Sequence, residues 1–239
     1  MKVSDMIQDG LPVRQFTGEK YRAVDLTIGQ GDVERAAWLA ERCGKLTASQ
    51  MHRALDFRKD GKPGADRIKY MKEILAERLT GISWRHYVTP AMEWGIQTEP
   101  EAKAAYTALS GNPLQATGFF DHPTIDMCGA TPDALVGKEG LLEVKCPTTQ
   151  TFIDWKLGNV VPEDHKPQLL LQLACTGRKW VDFFSFDPRI KDKDRNWFLK
   201  RFQPTPDPLG AKPAQIIDIE IAAQQFLSEV DQLWEAFHS

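Results

Sequence analysis

The chain has 239 residues, 42% of them hydrophobic, with seven tryptophans and twelve phenylalanines, which is enough apolar material for one large domain or two small ones. Its formal net charge of −3 gives no compositional sign of nucleic-acid binding, so a polyanion would have to be held by a local basic surface. There is no run of about 18 apolar residues to span a bilayer, and the start MKVSDMIQDG is too polar for a secretory signal. Cys43, Cys128, Cys146 and Cys175 are scattered without zinc-like spacing, as expected of reduced thiols in a cytoplasmic protein.

In chain order, residues 1–31 are mixed and turn-rich and predict an arm leading into the fold. Asp32–Gly44 predicts a helix with an acidic start and a glycine stop, and TASQMHRALDF begins a second. Arg58–Asp66 is a basic, glycine-containing loop. Asp66–Gly81 carries Ile68, Met71, Ile74 and Leu75 at helical spacing. Thr89 and Pro90 suit the N-cap and first position of a helix reaching Gly111, which Pro100 should bend or restart. The period then shortens: LQATGFF, MCGATPDALV and LLEVKC read as strands, PQLLLQLACTG as a helix and VDFFSFD as a strand. Residues 203–213 are a proline-rich connector, and 214–239 predict a short strand followed by an amphipathic helix ending near Trp234 and Phe237. The whole, 1–239, is expected to be a single α/β domain with a central mixed β-sheet flanked by helices.

The stretch TPDALVGKEGLLEVKCP, Thr131–Pro147, concentrates the chemistry. In a strand, side chains alternate, so Glu143 and Lys145 share one face while Leu142, Val144 and Cys146 take the other. A tight turn at Gly137–Gly140 would return Asp133 to the side of Glu143. Two converging carboxylates suit a hard cation such as Mg²⁺, and a lysine beside them can orient water and offset charge on a phosphate. Acid, turn, acid and lysine also decorate ordinary solvated hairpins. The apolar Leu141, Leu142 and Val144 weigh against that, because charge at a covered position is costly unless paired or metal-bound.

Pro132-Asp133 and Glu143-Val144-Lys145 together resemble the signature of the PD-(D/E)XK nuclease superfamily, a loose pattern by itself. The surroundings narrow it. WLAERCGKLTASQ, MEWGIQTEPEA, ATPDAL, GLLEVKCP, PQLLLQL and FDPRI resemble, in this order, motifs of the phage lambda exonuclease family, the YqaJ-like viral alkaline exonucleases, over roughly residues 38 to 190.

The resemblance implies a restriction-endonuclease-like core in which Asp133, Glu143, Glu99 and the main-chain carbonyl of Val144 bind divalent metal, Mg²⁺ with Mn²⁺ as a substitute. Lys145 would position the nucleophilic water or stabilise the pentacovalent phosphate. Pro100 directly after Glu99 departs from the pattern and would set that glutamate at a kink. Arg42, Thr47 and Ser49 would form the pocket for a 5′-terminal phosphate, a guanidinium and hydroxyls being suited to its oxygens. Thr47-Ala48-Ser49-Gln50 equally satisfies a capping box that needs no ligand. Family members carry a glutamine where this chain has Leu170; Gln168 remains, together with Thr131, as a candidate DNA contact. Gln168 and Gln172, at i and i+4, share one helix face, and a polar stripe on a buried helix is the plainer account.

Arg58, Lys59 and Lys62, with Arg67 and Lys69 nearby, form the plainest basic cluster, placed where the family contacts duplex DNA and equally readable as a solvated loop. Met92 falls where the family places an apolar side chain that wedges apart the terminal base pairs, although a methionine near a tryptophan is commonly core. The resemblance further implies a homotrimeric ring around DNA and a single-strand annealing protein as partner. The function it implies is a Mg²⁺-dependent 5′→3′ exonuclease of linear duplex DNA, encoded by a phage or prophage and acting in the cytoplasm of a bacterial host. It would release mononucleotides and leave 3′ single-stranded overhangs for recombination, with no membrane involved. An endonuclease of the same superfamily and a non-catalytic DNA-end-binding module are the alternatives.

Overall fold

The computed structural model describes residues 30–83 and 89–239, with side chains from Ala36 onward. The expected N-terminal arm lies outside the described residues up to residue 29. Helix α1 spans Gln30–Arg42, and β1, Leu46–Thr47, leads through a 3₁₀ turn at Ala48–Gln50 into the single-turn α2, Met51–Ala54. Asp56 clamps the loop that follows: its carbonyl accepts the Gly64 N–H at 2.8 Å and its carboxylate the Asp66 N–H at 3.0 Å. These bonds tie the basic loop back on itself and start α3, Ala65–Thr80.

The buried face of α3 keeps Met71 and Ile74 of the expected stripe and turns away from Ile68. Ile68 is exposed, and Tyr70, Met71 and Ile74 are joined inside by Arg67, 1% exposed. Residues 67, 70, 71 and 74 follow the helical period as well as 68, 71 and 75 do, and Arg67 is covered because α7 carries a carboxylate to meet it.

Helix α4, Pro90–Ser110, starts as expected: Thr89 Oγ1 accepts the Met92 N–H at 3.2 Å. It runs through Pro100 as one element, so the expected restart is absent. Gly81 and Gly111 end α3 and α4 at φ +68° and +69°, a conformation that costs glycine least.

The expected central sheet is present as five strands ordered β2, β5, β6, β7, β8: Leu114–Gln115, Ala134–Val136, Gly140–Lys145, Trp180–Phe186 and Trp197–Phe202. Within this sheet, among the described residues, only β6 and β7 pair in parallel. They are joined by a crossover of two helices, α5 (Thr149–Gly158) and α6 (Lys166–Thr176). A smaller sheet, ordered β1, β4, β3, takes in Cys128–Ala130 as β4 and Phe120–Asp121 as β3.

Several elements differ from the sequence expectation. β1, β8 and α5 were not anticipated. Residues 214–238 hold no strand, since Ala214–His238 is one helix, α7. The run Ile217-Asp218-Ile219-Glu220-Ile221 alternates like a strand, yet Ile217 and Ile221 are exposed while Ile216, Ile219, Ala223, Phe226, Leu227 and Val230 are buried at helical spacing.

β6 divides the core. Leu141 packs with α6 and α7 through Leu169, Leu171 and Phe226, while Leu142 and Val144 pack on the α4 side against Ala102, Tyr106 and Phe184. Tyr106 Oη donates to Asp182 at 2.7 Å, and Arg201 bonds the same carboxylate at 2.8 and 3.0 Å, locking α4 to the sheet. On the other side Arg67 of α3 binds Glu229 of α7 at 2.7 and 3.2 Å. No described helix is long and apolar enough to cross a membrane.

Candidate active site

The hairpin of β5 and β6 does what its sequence suggested. Val136 pairs with Gly140 across the turn, and the Asp133 N–H donates to the Leu142 carbonyl at 3.1 Å. Asp133 Oδ2 then accepts the Val144 N–H at 2.6 Å, so its carboxylate lies against the strand that bears Glu143 and Lys145. Glu143 is 2% exposed and both its oxygens are occupied. Oε1 takes the Lys145 ammonium at 2.6 Å and the Gln168 amide at 2.6 Å; Oε2 takes the Gln172 amide at 2.6 Å. Lys145 also reaches Gln168 Oε1 at 3.4 Å.

The electrostatics identify a crowded site. Burial holds the Asp133 carboxyl well above the usual carboxylate range, with the charges of Glu143 and Glu99 adding to the effect. Burial works against the charge of Lys145, but Glu143 and Asp133 outweigh it and raise its pKa, so the ammonium is retained. Cys146, next along, is pushed up to about 12 by burial and by the nearby carboxylates, which leaves its thiol inert.

Glu99 stands on α4 near enough to act on Asp133, Lys145 and Cys146. Its carboxylate, however, pairs with Lys103 one turn on, at 2.6 Å. Among the described residues no three acidic, histidine or cysteine side chains are already gathered into a ligand cage. The donors still fit magnesium. Asp133, Glu143, Glu99 and the carbonyl of Val144 are hard oxygen ligands. Magnesium commonly takes one or two carboxylates and keeps several waters. An open cleft of about 580 Å³ borders Asp133, with Lys103, Thr107 and Gln115 in its wall.

Arg42, Thr47 and Ser49 lie where α1, β1 and the 3₁₀ turn meet. Arg42 is 6% exposed, its guanidinium stacked 3.5 Å from the Trp38 ring centroid and 5.3 Å from that of Phe119. Thr47 is buried and its main-chain N–H bonds Tyr70 Oη at 3.3 Å; Ser49 is exposed. The capping box does not form, for Thr47 makes no capping bond and Gln50 accepts from Arg53 instead. The turn packs on α6, the helix carrying Gln168.

Arg58, Lys59 and Lys62 are exposed on their loop, Arg58 pairing with Asp60 at 3.2 Å. Arg67 leaves that cluster: besides Glu229 it bonds the Ala54 carbonyl and stacks over Phe57 and Phe226, so it is a core cation and not a DNA contact. Met92 is 52% exposed in the first turn of α4, outside the core. Thr131 Oγ1 is buried without a hydrogen-bond partner among the described residues. Gln168 is 9% exposed, and both ends of its amide are taken by Glu143 and Lys145.

Two groups at the site carried no role in the sequence reading. Gln172 holds Glu143, and its i, i+4 relation to Gln168 was the available signal. Arg189, three residues beyond β7, bonds Asp187 at 2.7 Å, donates to the Pro147 carbonyl at 2.7 Å and stacks 4.6 Å from Trp94. It thereby ties the start of α4 to the segment just after β6, a link the FDPRI motif contained but did not explain.

Comparison with known proteins follows the same lines. The YqaJ-like viral recombinase domain matches residues 37–179. The fold is similar to a solved alkaline exonuclease from Laribacter hongkongensis, with TM-score 0.75 and 36% identity over 85% of this chain and 96% of that one. The same enzyme in complex with dAMP matches equally, TM-score 0.75 and 36% identity, over 84% and 95%. A phage-related exonuclease from Haemophilus somnus, 14% identical with TM-score 0.57 over 81% and 96%, shares the fold. No curated protein sequence matches the chain.

Proposed function

The chain belongs to the YqaJ-like viral recombinase family, that of the lambda-type alkaline exonucleases, and we propose that it is a Mg²⁺-dependent 5′→3′ exonuclease acting on linear duplex DNA. The observation that carries this reading is the convergence of Asp133, Glu143 and Lys145 at one end of the β5–β6 hairpin, with Glu99 close by.

Asp133, Glu143, Glu99 and the Val144 carbonyl would hold magnesium, which supplies activation of water and neutralisation of phosphate charge. Lys145 donates to a phosphate oxygen as charge develops there. Gln168 holds Lys145 and Glu143 together, keeping the ammonium aimed while both partners stay desolvated. The water oxygen attacks the phosphorus between the first and second nucleotides, the P–O3′ bond breaks and the 3′ oxygen takes up a proton. A mononucleotide leaves, and the next nucleotide keeps a 5′-phosphate.

That product is again a substrate for the region of Arg42, Thr47 and Ser49, which gives the reaction its polarity. Lys59 and Lys62, with Arg58, hold duplex phosphates without regard to sequence, and Met92, exposed in the first turn of α4, stands free to wedge the terminal pair. Mn²⁺ is expected to replace Mg²⁺. A ring of three copies around the duplex, a single-strand annealing partner for the 3′ overhang, and a phage or prophage origin with action in the bacterial cytoplasm complete the proposal.

The test is digestion of a linear duplex with 5′-phosphate or 5′-hydroxyl ends, in Mg²⁺ or EDTA, beside a covalently closed circle. Faster Mg²⁺-dependent loss from 5′-phosphorylated ends with an intact circle supports the proposal. A cut circle replaces it with an endonuclease. Binding without cleavage replaces it with an end-binding module.

A further inference from the structure

We propose that Gln172 is a positioning residue of the nuclease centre, which acts through Glu143 to set the affinity of the site for its divalent cation. This rests on the reading of Asp133, Glu143 and Lys145 as a metal-dependent centre.

Gln168 and Gln172 stand one turn apart on α6, and each donates one amide N–H to a different oxygen of Glu143, both at 2.6 Å. Their other ends differ. Gln168 Oε1 accepts from Lys145, whereas Gln172 Oε1 is buried without a partner among the described residues. Gln172 is 0% exposed and lies among Leu169, Leu171 and Leu173. For folding alone this is a poor choice, because a buried unpaired amide carbonyl carries a desolvation penalty that leucine or methionine would not. The amide cannot be turned around either, since its oxygen would then face a carboxylate oxygen, acceptor against acceptor.

The hydrogen-bond capacity of Glu143 says what the amide is for. A carboxylate offers about two acceptor sites on each oxygen. On Oε1 both are used, by Lys145 and Gln168; on Oε2 one is used, by Gln172. Oε2 is the oxygen with capacity left for a cation, and Gln172 is the group that aims it. Leu170, at the family's glutamine position, is packed against the apolar core and has no amide to offer. Groups that orient a metal ligand from behind typically change affinity 10–100-fold when removed.

Gln172→Met keeps the length and removes the donor; Gln172→Leu is the second variant should the first not fold, with far-UV circular dichroism as the check. Binding of Mn²⁺ to the DNA-free protein is measured by calorimetry, and the Mg²⁺ concentration for half-maximal digestion is measured separately. The expected result is Mn²⁺ binding weakened about tenfold or more, a matching rise in the half-maximal Mg²⁺ concentration, and recovery of most of the rate in excess Mg²⁺. DNA-end affinity in EDTA should stay within about twofold. A folded variant that binds Mn²⁺ like the parent overturns the proposal, as does a loss of rate that excess metal does not restore. If the parent protein itself binds no Mn²⁺ and cuts no DNA in Mg²⁺, the metal-dependent reading fails, and this inference with it.

Discussion

Asp133 Oδ2 accepts the main-chain N–H of Val144 at 2.6 Å, so the carboxylate before β5 is tied to the backbone of the strand that presents Glu143 and Lys145. The bond crosses the hairpin between an acid and the residue lying between the other two site groups. It fixes the spacing of the two acids by backbone geometry, which leaves the carboxylate's other oxygen available for a ligand.

Asp133→Asn separates this structural role from the chemical one. The amide oxygen can still accept from Val144, so the fold should persist, but the charged ligand is gone. Digestion of 5′-phosphorylated duplex should fall by about a thousandfold, equivalent to ~4 kcal/mol in the barrier. Lys145→Ala should lose activity to a similar degree while retaining DNA-end binding. Single-turnover digestion and a gel-shift titration in EDTA measure the two quantities.

Arg67 and the pair Lys59 and Lys62 should behave in opposite ways. Arg67 is buried while its partner Glu229 is 27% exposed. Arg67→Ala should therefore lower the urea midpoint, by less than the roughly 3–5 kcal/mol lost when one partner of a fully buried pair is removed. Lys59→Ala and Lys62→Ala should leave that midpoint unchanged and each reduce the salt slope of DNA binding by about 1. Urea denaturation and fluorescence anisotropy at several salt concentrations distinguish them.

Arg42→Lys retains the positive charge and loses the planar fork and much of the stack on Trp38. The ratio of digestion rates on 5′-phosphate and 5′-hydroxyl ends should drop by about tenfold, the worth of roughly one charge-assisted hydrogen bond. An unchanged ratio would remove Arg42 from the phosphate pocket.

Stability should decline in mild acid through His122. Its Nδ1 accepts the N–H groups of Thr124 at 3.2 Å and Ile125 at 3.1 Å, and Nε2 lies 3.1 Å from Glu220. Burial lowers its pKa below 6.5; Glu220 opposes that shift and Lys212 reinforces it. With a depressed folded pKa the unfolded chain binds the proton more readily. The contribution of this histidine is thus complete above about pH 6.5 and is lost as pH falls below that value. Thermal melts from pH 8 to pH 5 should show the decline, and His122→Gln should flatten it while lowering stability by about 1–3 kcal/mol at pH 8.

Much of the site was legible because its signals are local. A period of two, a glycine-bounded turn and an acid on each side are enough to bring Asp133 beside Glu143 and to set Lys145 on the same face as Glu143. The caps at Thr89, Gly81 and Gly111 are equally local, since each rests on conformations within a few residues. Long-range partners left no comparable trace. Arg67 reads as a surface cation until Glu229, far along the chain, is brought against it. The strand-like alternation of Ile217, Ile219 and Ile221 was overridden by burial of Ile216, Ala223 and Phe226 along a helix. Sequence alone determined that Asp133, Glu143 and Lys145 meet on one hairpin, because backbone periodicity and the turn place them. Tertiary structure decided which charges are sequestered and which amides orient Glu143, because burial and hydrogen-bond satisfaction depend on surfaces that meet only when the chain has folded.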